Sequence, residues 1–300
     1  MSDNSTEARM QIILHTGAHF TEELRVSRCL VRNKEGFGRR GIAVPGPSRY
    51  RRLLKDAMEA LADADPAPGA RDVILDEILD EEHTDRMVLS HPFYFGAPHS
   101  CLRNGLLYHL APERMAKTAA LFAEDDVHLY FAIRNPATFL PLMFDKAPHD
   151  NQQRFFGAAH PADIRWSDLF LAIRDAAPTV QMTVWCNEDA PLIWAQIIRD
   201  MAGLEDGEKI VGGFDLLSDI MSAEGMKRFR AYLKSHPVMT EAQKRRVIAA
   251  FLDKFAIEDE LEEEINMPGW SDEMVDDLTE AYDEDIARIE AVPGLRMILP

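Results

Sequence analysis

Cysteine is scarce in this 300-residue chain: Cys29, Cys101 and Cys186 are far apart and odd in number. That argues against a disulfide framework and points to a reducing compartment, so a cytoplasmic location is expected. Long apolar runs are missing as well. Every hydrophobic stretch is broken by charge short of the roughly 20 residues that cross a bilayer, so no membrane partner is expected. The opening MSDNSTEARM has no basic segment followed by an apolar one. It does not read as a secretion signal, and residues 1–10 are expected to be a disordered N-terminus. Positive charge is in short supply: 33 Lys and Arg stand against 51 Asp and Glu, a formal charge of −18. A nucleic-acid partner is therefore not expected, since phosphate backbones need a basic surface.

What is present is enough apolar residue, 46%, to build a sizeable core. The scarce positive charge is also concentrated. Between Val31 and Lys55 lie Arg32, Lys34, Arg39, Arg40, Arg49, Arg51, Arg52 and Lys55 against the single acid Glu35, a window of +7 that leaves −25 for the rest. Such an island reads either as a solvated helix face or as a seat for a small anionic molecule.

Apolar spacing gives the order of elements. QIILH (residues 11–15) reads as a strand, followed by a glycine turn and a helix starting near Glu22. GIAVPGPSRY is a connector and YRRLLKDAMEALADA a helix, with RDVILDEILDEE a second. RMVLS, VHLYFAI and TVQMTVWC read as strands, with helices PERMAKTAALFAED and WSDLFLAIRDAA between them and APLIWAQIIRDMAG after them. Strands alternating with helices predict an α/β fold with a parallel sheet covered on both faces. Residues 11–300 read as one domain in which 206–294 is a mainly helical extension. Within it VGGFDLLSDIMSAEGMKRFRAYLKSH reads as one amphipathic helix, Val247, Phe251 and Phe255 as a core stripe, and LRMILP as a last edge strand. The acids between Glu258 and Glu264 read as a solvated helix end, with cation binding as the other reading.

In an open parallel sheet, ligands sit beyond the carboxyl ends of the strands. That selects His15 to Thr21, Ser90 with His91, and Arg134 with Asn135. Gly17 permits a tight turn and close approach of an anion, and the helix behind it offers N–H donors. A metal site from His15, His19, His91 and Cys101 is set aside, because His-x-x-x-His across a strand-to-loop junction lacks helical register.

The ensemble resembles the sulfotransferase family, in particular its bacterial branch with the loop His-Ile-Gly-x-x-Lys-Thr-Gly-Thr-Thr. LHTGAHFTEEL is similar to that loop at His15, Gly17 and Thr21. YFAIRNPATFLPLMF resembles the second signature, Arg-Asn-Pro at a strand end, and MTVWCNEDAPLIW the strand and Glu-Asp turn that follow. The resemblance covers most of residues 11–205. It implies a fold related to the P-loop kinases and 3′-phosphoadenosine 5′-phosphosulfate (PAPS) as donor, with His15, Gly17, Thr21 and Arg134 as cofactor-binding residues.

The departures from the family pattern are as informative. Phe20 stands where the loop lysine is expected, and Glu22, Glu23 and Leu24 replace Gly-Thr-Thr. Eight residues after Arg134 comes Leu142 instead of serine, and after the middle strand Ser90-His91-Pro92 replaces a Ser-Ser-Glu-like sequence. Loss of the lysine removes several kcal/mol of transition-state stabilisation. A carboxylate about 4 Å from the phosphate repels it by roughly 4 kcal/mol at an effective dielectric near 20. The expectation is an eroded PAPS site, with Glu22 or Glu23 acting as an internal anion. The protein is then inactive in standard sulfuryl transfer or takes another anionic ligand on Arg134 and the basic island. The alternative is an active sulfotransferase in which Arg25, Arg28 or an island arginine replaces the lysine and His91 or His19 is the catalytic base.

Overall fold

Ile12 and Leu14 point to one side of the first strand and Ile13 to the other, and all three are buried. A strand apolar on both faces belongs at the centre of a covered parallel sheet, and that is where it lies. The computed structural model describes residues 9–21, 23–61, 64–80, 83–146, 155–261 and 267–300. The acids Glu262 to Glu264, residues 1–8 of the expected disordered N-terminus, Glu22 and the side chain of Glu23 lie outside the described residues, so the internal-anion expectation does too.

The sheet is built from β1 (Gln11–His15), β2 (Ile42–Ala43), β3 (Arg86–Ser90), β6 (Asp126–Ile133), β7 (Gln181–Cys186) and β8 (Leu295–Met297), in the spatial order β2-β3-β1-β6-β7-β8. All neighbours are parallel, with Leu14 opposite Leu89 on one side and Leu129 on the other. A separate hairpin joins β4 (Leu102–Arg103) to β5 (Leu106–Leu107). Asn104 and Gly105 make its turn with φ of 51° and 78°, the positive values that a type I′ two-residue hairpin turn requires at both central positions.

Helices cover both faces. On one side α3 (Pro47–Ala60), α4 (Ala70–Ile78), α5 (Ala111–Leu121), α6 (Pro136–Asp145), α7 (Trp166–Ala176) and α12 (Asp272–Glu290) share a core with Ile12, Leu14, Leu89, Leu129 and Phe131. On the other, α1 (Glu23–Arg32), α2 (Lys34–Gly38) and α8 (Ala190–Ala202) bury Val26, Phe37, Trp194 and Ile197 against Ile13, Val88 and Tyr130. Helix α8 stops at Gly203, whose φ of 65° is left-handed, as its place after the last apolar position predicts.

After Gly203 the expected single helix is two, α9 (Asp215–Ile220) and α10 (Ala223–Ser235). Ser222 breaks the run because its hydroxyl accepts from the Gly225 N–H and caps a new helix. With α11 (Glu241–Phe255) they bury Leu217, Phe229 and Ile248 in a third, smaller core that Val247, Phe251 and Phe255 flank. Thr240 and Gln243 form a reciprocal cap at the start of α11. The chain then returns to the sheet, where α12 packs on α6 and α7 and β8 closes the edge. No described helix is long and apolar enough to cross a membrane.

One carboxylate ties that return together. Asp285 of α12, 1% exposed, accepts from the N–H groups of Trp166 at 2.7 Å and Ser167 at 3.1 Å and from the Ser167 hydroxyl. It satisfies the first turn of α7 from another helix. Asp285→Ala leaves those donors buried and unpaired and should lower unfolding free energy by about 2–4 kcal/mol. Urea denaturation measures the loss, and Asp285→Asn, which keeps one acceptor, should lose less.

Candidate functional site

The chain runs from β1 to β2 and β3 on one side and then to β6, β7 and β8 on the other, so the order reverses between β1 and β6. A crevice is expected there, beyond the carboxyl ends of those two strands. The structure closes it with backbone. Past His15 the chain keeps pairing with β6: the Thr16 N–H donates to the Tyr130 carbonyl at 3.3 Å, the Ala18 N–H to Ala132 at 2.6 Å, and the Ala132 N–H to Gly17 at 2.6 Å. Gly17 holds φ of 124°, which a side chain would rarely allow, so the turn needs glycine for shape. The next amide, on His19, donates to the Tyr108 hydroxyl at 2.8 Å. The Thr21 hydroxyl donates to the Ala18 carbonyl at 2.7 Å.

Arg134, at the end of β6, is 7% exposed. One guanidinium nitrogen donates to the Phe20 carbonyl and another to the Thr138 hydroxyl at 3.0 Å. Its carbonyl accepts from the Trp166 indole at 2.9 Å. Asn135 caps α6, its side chain accepting from the Ala137 N–H at 2.9 Å with Pro136 in the first turn. Glu188, from the Glu-Asp turn after β7, accepts from the Asn135 N–H at 2.7 Å and from the Tyr282 hydroxyl at 3.2 Å. Burial pushes the Glu188 carboxyl up, while these bonds and the nearby Arg134 charge pull it back.

The three candidate histidines do not share one pocket. His15 lies on the α8 face, stacked on Trp185 with centroids 5.8 Å apart and with Nδ1 3.0 Å from the Ser90 hydroxyl. His91 and His19 lie with the residues of the opposite core: His91 packs edge-on against Tyr94, and His19 is stacked on Tyr108 with centroids 5.7 Å apart. The His19 Nδ1 is 2.9 Å from the Tyr108 hydroxyl, and Cys101 Sγ is 3.5 Å from the same nitrogen. His91 Nε2 donates to the Arg51 carbonyl at 3.1 Å. That bond fixes the proton on Nε2 and leaves Nδ1, buried and without a partner, as its only basic atom. His15 Nε2 and His19 Nε2 are also buried and unpartnered. No cluster of three or more His, Cys, Asp or Glu side chains suited to a metal ion occurs among the described residues.

The basic island is mostly neutralised. Arg32 pairs with Asp215, Arg40 with Glu208 at 2.5 Å, Arg49 with Asp80 at 2.6 Å, Arg52 with Asp56 at 3.6 Å and Lys55 with Glu59 at 3.5 Å. Arg51, which like Lys34 and Arg39 pairs with no carboxylate among the described residues, is held by a carbonyl instead. Its Nε and Nη2 donate to the Ser90 carbonyl at 3.1 and 2.9 Å, where the Tyr50 hydroxyl also donates at 2.8 Å. The island runs from the end of α1 through α2 to α3, reaches the end of β3 through Arg51, and makes no hydrogen bond to the Arg134 group at the end of β6 among the described residues.

Sequence reasoning missed Tyr50 and Tyr108, and placed Arg51 only as one of eight island cations. Tyr108 had a signal, because Asn104-Gly105 between Leu102 and Leu107 marks a two-residue hairpin that delivers the next residues to the strand ends. Tyr50 had none, since a helix N-terminal tyrosine reads the same in solvent.

Burial lowers the pKa of His15 to about 3 and of His19, His91 and His128 to about 4. Above an ordinary histidine pKa near 6.5, both folded and unfolded chains leave these rings neutral. As the pH falls from there toward 4, the unfolded chain takes up protons that the folded chain refuses, so stability falls with acid. Near pH 5 unfolding should take up between roughly three and four protons through these four rings, and His15→Asn should remove about one of them. The slope of denaturation free energy against pH measures this, and a flat profile between neutrality and pH 5 would contradict it. Compared with known proteins, the chain matches no family model, no curated protein and no solved structure.

Proposed function

We propose that the chain is a divergent sulfotransferase-like protein whose β1 loop does not hold PAPS, so that it is inactive in standard sulfuryl transfer and takes another anionic ligand. The observation that carries this reading is the engagement of the loop amides. A phosphate cradle needs backbone N–H groups turned toward the anion. Those of Thr16, Ala18 and His19 are donated to Tyr130, Ala132 and Tyr108. Phe20, in the place of the lysine, packs against the core. Leu142 offers no hydroxyl near Arg134. The residues present therefore do not fit a bound phosphosulfate, and no reaction step is built on one.

The active alternative has less support. It needs a replacement cation, yet Arg25 pairs with Asp219 and Arg32 with Asp215 in a cavity with Arg28 on the outer side of α1. It also needs a base, and the unpartnered nitrogens of His19 and His91 are sealed from solvent.

Calorimetric titration with adenosine 3′,5′-bisphosphate, the desulfated donor, should give no complex tighter than about 1 mM. Phe20→Lys alone should not rescue it, because the amides stay engaged. A micromolar complex with the unaltered protein would overturn the proposal.

A further inference from the structure

Beyond the end of β3 a cavity of about 770 Å³ opens between α3, the turn after β3 and the start of α5. That size suits a small organic ligand. Its walls carry Arg51, Arg52, Lys55 and Arg114 against one carboxylate, Asp56. In a chain of net charge −18 such a surplus is local and unusual. Arg52 and Lys55 reach acids of their own helix. Arg51 and Arg114 pair with no carboxylate among the described residues.

Both guanidiniums are held by carbonyl oxygens. Arg51 is fixed on the Ser90 carbonyl through Nε and Nη2, and Arg114 donates through Nη1 to the Tyr94 carbonyl. A carbonyl orients a guanidinium without cancelling its charge, so both cations stay available for a ligand with their geometry already set. His91 lines the same wall, bonded to the Arg51 carbonyl, and burial, with the two arginine charges adding to it, lowers its pKa. The ring is thus neutral, adding neither a competing positive charge nor a counter-ion. Phe93 also lines the cavity. It is a phenyl ring 52% exposed, braced on the buried His19 ring with centroids 5.4 Å apart. A large aromatic side chain fixed in position at a cavity wall offers a stacking face.

We infer that this cavity binds a small molecule in which an oxyanion ester, phosphate or sulfate, is joined to a flat ring, the oxyanion on Arg51 and Arg114 and the ring on Phe93. The inference rests on the anion-binding half of the function proposed above and places it at β3, away from Arg134. It does not depend on whether the β1 loop binds a nucleotide.

The test is titration of the full chain with phenyl phosphate, phenyl sulfate, inorganic phosphate and benzyl alcohol. One or both aryl esters should bind at least roughly tenfold tighter than inorganic phosphate or the neutral alcohol, and the preferred ester identifies the oxyanion. Arg114→Gln should weaken the ester by at least roughly tenfold. Phe93→Ala removes an exposed ring without disturbing the core, and should weaken the ester but leave inorganic phosphate unchanged. Arg40→Gln, in the Glu208 ion pair, should change nothing. Absence of saturable binding by either ester overturns the inference, and so does a complex that neither Arg114→Gln nor Phe93→Ala weakens. A separate titration with adenosine 3′,5′-bisphosphate keeps the two readings distinct. If that nucleotide binds without displacing the aryl ester, the donor-loop proposal fails and this one stands.

Discussion

Where β1 ends, the chain does not turn away from the sheet but goes on pairing with β6 through Gly17 and Ala18, and the rest of this end of the molecule depends on that. The pairing brings the Phe20 carbonyl to Arg134 and the His19 amide to Tyr108. Each of these groups would otherwise need water or a ligand at a strand end. A phosphate entering the loop would have to displace bonds already made inside the protein. The net gain of a hydrogen bond over water is only about 1 kcal/mol, but leaving a buried carbonyl such as that of Ala132 unpaired costs about 1–3 kcal/mol. The closed loop is therefore self-sufficient, whatever its glycine suggests.

Charge follows the same division between groups satisfied within the protein and groups left open. An acidic chain surrounds most of its arginines with carboxylates, and the pairs along α1, α2 and α3 draw on Asp215, Glu208 and Asp80 from distant parts of the sequence. Such exposed pairs add little stability each. Their effect is to neutralise a basic window that by composition alone looked like an anion site. Among the cations that keep no carboxylate, Arg51 and Arg114 are oriented by carbonyls, of Ser90 at the end of β3 and of Tyr94 in the turn beyond it.

The sheet was legible because its strands are apolar on both faces and its helices end at recognisable residues such as Gly203. The closure of the β1 loop was not. Backbone pairing beyond a strand end leaves no side-chain pattern, and His15, Gly17 and Thr21 look alike in an open loop and a closed one. The break between α9 and α10 was missed because Ser222 in an amphipathic run reads as a tolerated polar residue until its capping bond is seen. The island was visible as charge, but which of its cations lack acids depends on Asp80, Glu208 and Asp215, none of them near in sequence. Arg51 and Arg114 are 63 positions apart, and only the fold joins them.

His19 is held at this end of the sheet by its neighbours in the turn and the hairpin. Phe20 beside it and Tyr108 stacked on it hold φ of 57° and 48°, a region that costs an L residue about 1–2 kcal/mol. The loop and the hairpin hold each other in these conformations, through the His19 amide and ring on one tyrosine hydroxyl and the Cys101 thiol 3.5 Å from the same ring nitrogen. A ring fixed in this way, with its pKa near 4, cannot gain a proton near neutral pH without charging a buried, apolar site. It serves as a strut, and the face it supports is Phe93. The rigidity that removes His19 from acid–base work is thus what sets an aromatic ring beside two oriented arginines, where the end of β3 meets solvent.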